Sequence, residues 1–167
     1  MSTSVVAGSA AESYVEAFEE VTSDTSTPAW VQSMRRAAFD RFGALGFPTT
    51  KNEDWHFTSV SPIVDQEYVF LAAKSGDVGR DELAPFTFGA IGWHTMVFVN
   101  GRFAPELSDI AKLPNGVKVW DLATAWTKAP DVVDRVGKLA SYDTQGFTAL
   151  NTAFMIDGAV VQIAKDT

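Results

Sequence analysis

The side chains best suited to chemistry cluster in "GFPTTKNEDWHFTSV", Gly46 to Val60. Asp54 and His56 would serve as an orienting carboxylate and a base. Nucleophilic catalysis needs a third group, however, and no serine stands in a G-x-S-x-G turn. Glu53 and Asp54 are adjacent and point in different directions, so they do not make the facing carboxylate pair of acid–base hydrolysis. An orphan hydrolase resting on Asp54 and His56 is therefore a weak reading. His56 and His94 are the two histidines, and neither has a zinc-ligand spacing to other donors. With no cysteine, a disulfide scaffold or a thiolate metal or cluster site within this chain is excluded. "GDVGR", Gly76 to Arg80, lacks the G-x-x-x-x-G-K-[ST] pattern, so no ATP hydrolysis is expected. His56 reads as a loop side chain and His94 as a residue flanking a strand. No catalytic, cofactor-binding or metal-ligating residue is assigned.

Tryptophan offers another chemistry, because a flat indole stacks on a sugar face. Trp30, Trp120 and Trp126 fit helix or strand core positions, while Trp55 and Trp93 are open to either role. A carbohydrate-binding module using exposed Trp55 and Trp93 is thus the alternative reading. Burial of a large ring outweighs it as an explanation.

The elements that position these residues begin with a helix in which Ser9 and Glu12 have capping-box spacing and Tyr14, Phe18 and Val21 recur on one face. Its glutamates leave an acidic face that is either solvated or an electrostatic contact surface. Thr27 and Pro28 predict the start of a second helix, the hydroxyl as cap. Its apolar stripe is Val31, Met34, Ala38, Phe42 and Leu45, with Arg35, Arg36 and Asp40 off it and Gly46 as terminator. Beyond Pro48, Trp55 and Phe57 alternate along a short extended segment and are expected to anchor on Met34, Ala38 and Phe42, with Lys51 and Glu53 capping helix ends or pairing locally.

Asn100-Gly101 predicts a tight hairpin turn. "GVKVWDL" reads as a strand, Asp121 as the cap of a helix through Trp126, and Pro130 as the opening of another helix from Asp131 toward Leu139. A short helix carries Phe147, Leu150 and Phe154, and a strand pair joined by Asp157-Gly158 follows. Ala159–Ile163 is expected to be an exposed edge, inviting pairing with another copy, and its apolar character near Thr167 suggests a longer parent protein.

The totals set further bounds. The 167 residues suit one domain, or two small ones, and 46% apolar content is enough for a core. A net charge of −8 argues against a sequence-independent grip on nucleic acid. No run approaches the roughly 20 apolar residues of a membrane span, and the N-terminus lacks a signal-peptide pattern. A cytoplasmic protein is expected.

Three stretches in order carry a resemblance: Pro28 to Val60, "VFVNGRFAPELS" and "FTALNTAFMIDGAVVQIAKD". Together they resemble the N-terminal region of the SufB/SufD family of iron–sulfur cluster assembly proteins. Pro48, Thr49, Lys51, Glu53, Asp54, Trp55, Phe57 and Thr58 fall on the family pattern, and "ALNTAF" is closer to its SufD side. His56 departs from it, standing where a longer cation is usual. The resemblance implies an α+β fold: an N-terminal helical region, 1–90, then mixed hairpins and short helices, 91–167, leading into the start of a truncated parallel β-helix. It implies a non-catalytic scaffold part acting with SufB and SufC, and with sulfur-delivery proteins, on a nascent cluster, with ATP bound by SufC. It carries no site residue into this chain.

Overall fold

The computed structural model describes residues 12, 14–66, 68, 70, 78–87 and 92–167. Its helices are α1 (Val15–Thr22), α2 (Ala29–Leu45), α3 (Ser61–Val64), α4 (Arg80–Leu83), α5 (Leu122–Lys128), α6 (Pro130–Val133) and α7 (Gly146–Ala153). Its strands are β1 (Phe98–Val99), β2 (Arg102–Phe103), β3 (Val117–Asp121) and β4 (Ala159–Ile163). The chain forms two compact units that are interleaved in sequence. One comprises Met1–Phe70 with Arg135–Met155, the other Leu71–Asp134 with Ile156–Thr167. The division expected from sequence, 1–90 and 91–167, is by contrast in chain order.

In the first unit, α1 buries Phe18 and Val21, as its spacing predicts. The Ser9 end of the proposed capping box lies outside the described residues. Helix α2 buries Val31, Arg35, Ala38 and Phe42, which recur at the three- and four-residue intervals of one helix face. Arg35, expected off the stripe, lies on it. Met34, expected on it, is only half-buried. Thr27 does not cap α2: the N-cap is Pro28, without a side-chain capping bond. The Thr27 hydroxyl instead accepts from Arg35 Nη1 at 3.5 Å. Gly46 ends α2 at φ 65°, ψ −168°, a conformation that only glycine adopts easily, and its amide donates to the Phe42 carbonyl at 2.7 Å.

Helix α7 packs along α2. The contact is close because its buried face is small, Gly146, Ala149, Thr152 and Ala153. A Cβ built on Gly146 would overlap the Gly46 carbonyl oxygen, so the two backbones touch directly. Aromatic rings fill the rest of the core. Phe18 stacks on Phe39 with centroids 4.1 Å apart, and Phe154 meets both edge-on. Tyr14 touches Phe154, Phe42 and Phe47. Phe47 then leads through Phe147 to Trp55.

The second unit holds the described sheets, both antiparallel. Asn100 and Gly101 take φ of 50° and 77° and turn β1 into β2, pairing Phe98 with Phe103. Asp121 caps α5 by accepting the Thr124 amide at 2.8 Å. The helix opened by Pro130 is shorter than expected and stops at Val133; Gly137, at φ 75°, lies in the turns that follow.

Asp157-Gly158 is not the turn of a strand pair. β4 pairs with β3, from Val117 opposite Ile163 to Asp121 opposite Ala159. The Asp157 carboxylate accepts the amides of Phe103, Leu122 and Gly158. Such an acceptor ties the end of the hairpin and the start of α5 to the β4 approach, which a solvent-facing turn residue would not do. β4 itself remains largely exposed, Val161 and Ile163 included.

Candidate functional site

The Lys51–Ser59 stretch folds as a tight polar loop of the first unit. Asn52 organises its start: Oδ1 accepts the Thr49 amide at 2.8 Å and the Thr49 hydroxyl at 3.3 Å, an arrangement in which the side chain imitates a backbone turn. Glu53–Trp55 is then a 3-10 turn, not the extended segment expected from sequence. Three residues per turn send Trp55 and Phe57 to different environments. Trp55 is half-buried, its ring 5.3 Å from that of Phe147. Phe57 is 96% exposed and meets only the edge of His56 among the described ring contacts. The loop is therefore anchored by Trp55, through Phe147 and Phe47 to Phe42, and Phe57 takes no part in that anchor.

Asp54 and His56 are not brought together as an acid and a base. Asp54 Oδ2 accepts from Gln145 Nε2 at 3.3 Å, while His56 Nδ1 lies 3.2 Å from the Thr50 carbonyl. The latter contact needs the proton on Nδ1. Each group serves a separate local bond. Among the described residues no three His, Asp or Glu side chains gather as metal ligands would. His94 is exposed beside Thr95, which bridges to Asp109.

Between this loop and the start of α7 lies a cleft of about 270 Å³. It is lined by Leu45 to Pro48, Asn52 to Trp55 and Thr144 to Gly146. Among the described residues that line it are two carboxylates, Glu53 and Asp54, and Trp55, with no Lys or Arg. The backbone contact of Gly46 with Gly146 fixes the spacing of its sides.

The tryptophans divide otherwise than expected. Trp126 is buried and Trp120 half-buried, but Trp30 is 43% exposed on α2. Trp55 belongs to the first unit with one side on Phe147, and Trp93, 59% exposed, to the second. Neither the shape nor the placement of these rings singles out a sugar platform.

Arg35 is a buried charged residue that ties α2 to a distant segment. Its Nε and Nη2 both donate to the Met155 carbonyl, at 2.9 and 2.6 Å, from a nearly inaccessible position. A carbonyl just past the C-terminus of α7 has no helical donor, and the guanidinium fork supplies two. Arg35 is flagged by its position four residues after Val31 and three before Ala38, which places it on the buried face. Asp24 is held below the usual carboxylate range chiefly by hydrogen bonds from the Ser26 hydroxyl and amide, with the Arg35 charge contributing. Burial raises the Tyr14 phenol, with Tyr68 adding to the effect.

Comparison with known proteins agrees over almost the whole chain. Residues 8–167 match the model of a protein family described as the SufBD protein N-terminal region. An iron–sulfur cluster assembly SufBD family protein of Synechocystis sp. is 33% identical over 137 residues, covering 80% of this chain and 29% of that protein. The iron–sulfur cluster assembly protein SufD of Escherichia coli is 36% identical over 64 residues, covering 38% of this chain and 14% of its own length. The chain thus spans less than a third of either relative. No solved structure matches it. Among the described residues no helix is long and apolar enough to cross a membrane.

Proposed function

The chain belongs to the SufB/SufD family, and we propose that it is the N-terminal part of a non-catalytic scaffold component in iron–sulfur cluster assembly, giving fold support and protein contacts. The observation that carries this is the family match over residues 8–167. The local geometry supports it: Asp54 and His56 each satisfy a neighbour and share no reacting centre. The proposed partners are SufB and SufC, with sulfur-delivery proteins, in the cytoplasm. The cluster is cargo of the complex and ATP is bound by SufC. In the full-length protein a parallel β-helix would continue beyond this region. Side chains spent on packing suit a scaffold role better than turnover.

Mixing the full-length protein, with and without residues 1–90, with SufB and SufC tests the reading. Weakened assembly and slower cluster formation are expected from the shortened protein. Unchanged assembly removes the contact role, and turnover of ATP or cysteine by this chain alone removes the non-catalytic one.

A further inference from the structure

We propose that the outer edge of β4 pairs two copies of this chain, antiparallel about a two-fold axis through Val161. The register of the β3–β4 ladder carries the argument. The Leu122 amide donates to the Gly158 carbonyl and the Ala164 amide to the Gly116 carbonyl, each at 2.8 Å. Opposed residues of an antiparallel ladder alternate between bonded and non-bonded pairs. Val160 and Gln162 therefore turn their amides and carbonyls toward Trp120 and Lys118. Ala159, Val161 and Ile163 turn theirs away from β3. Val161 and Ile163 are 56% and 64% exposed, and among the described residues β4 has a strand on its β3 side alone. Nothing guards this edge: Ala159–Ile163 holds no charge and no proline, and its register runs without a bulge.

A second copy is the occupant because the strand is its own complement. With Val161 on the axis, it faces Val161 of the second copy, and Ala159 faces Ile163. These are the bonded positions, so every outward amide and carbonyl of the three residues meets a counterpart. A small Ala159 opposite a large Ile163 lets the side chains sit side by side without a clash. The same register, continued past the strand ends, sets Asp157 opposite Lys165 of the second copy. Charge and backbone thus favour one alignment. Asp157 is already fixed in place by the amides of Phe103, Leu122 and Gly158. Two strands make a marginal sheet, and the pairing joins two such ladders into one wider sheet. This association stands apart from the scaffold reading and needs no other protein.

The chain has no cysteine, so single introduced thiols report the register. Cα atoms of a bonded antiparallel pair lie about 5.5 Å apart, within the roughly 4.4–6.8 Å that a disulfide spans. Val161→Cys should therefore cross-link two copies in a glutathione redox buffer. Ile163→Cys should do so at least about tenfold more slowly, since its two copies stand roughly 13 Å apart along the strands. Mixing Ala159→Cys chains with Ile163→Cys chains should restore fast cross-linking. Val161→Lys sets two ammonium groups on the axis and should weaken dimerisation, read by sedimentation equilibrium, about tenfold or more. Its circular dichroism spectrum should not change, because the Val161 main chain lies outside the β3 ladder. Lys165→Glu should weaken the dimer as well. Equal rates at positions 161 and 163, a chain that stays monomeric at millimolar concentration, or a dimer indifferent to Val161→Lys would overturn the pairing. So would full-length protein in which the Val161→Cys thiol stays reduced, its edge then being taken by the rest of its own chain.

Discussion

Arg35 shows how one side chain can hold distant segments of a fold together. Its guanidinium reaches Met155, 120 residues away, and its stem fills a place on the buried face of α2. Arg35→Ala removes both the donors and the packing, and should destabilise the protein by about 2–4 kcal/mol in urea unfolding. Arg35→Lys should rescue little of this, because an ammonium cannot reproduce the planar two-donor fork. The loop makes a sharper contrast. Trp55→Ala loses a half-buried ring and should cost about 1–3 kcal/mol, whereas Phe57→Ala should stay within about 0.5 kcal/mol. Equal effects of the two would show that the loop is not held through Trp55. Tyr14 adds a pH dependence. Its folded pKa lies above the ordinary 10.0, so its contribution is complete below pH 10 and is lost as pH rises through the folded value. Unfolding followed from pH 8 to 11 should show a falling limb that Tyr14→Phe flattens.

At the scale of elements, the fold rests on small residues where backbones meet. Gly146→Ala would gain helix propensity of about 1 kcal/mol, yet its methyl overlaps the Gly46 carbonyl. The net result should be a loss of about 1–3 kcal/mol, measured by thermal unfolding; a stabilised variant would mean that α7 can shift off α2 freely. The hairpin at Asn100-Gly101, the Asp121 cap and the Gly46 stop were legible because each depends on a local backbone requirement that names its residue. The Asp157 bonds were not. Asp-Gly is also a turn signal, and only tertiary partners show that its carboxylate serves three amides from separate segments. The same limit applies to the loop: alternation of Trp55 and Phe57 suggests a strand, while the local bonds of Asn52 turn the chain into a 3-10 geometry instead.

For the molecule as a whole, family membership was legible in three ordered stretches, but the candidate site was not. Its cleft joins Glu53 and Asp54 to Gln145, about ninety positions on, and no spacing rule links them. The interleaving of the two units has a further consequence for the order of synthesis. A ribosome releases α1, α2 and the Trp55 loop long before α7, so the aromatic core of the first unit stays open until Met155 has cleared the exit tunnel. Nascent chains halted after Asp134 should be cut readily by protease around Trp55, and chains extended well past Met155 should resist. A slow codon between Asp134 and Met155 would lengthen the time for which the apolar face of α2 waits for its partner.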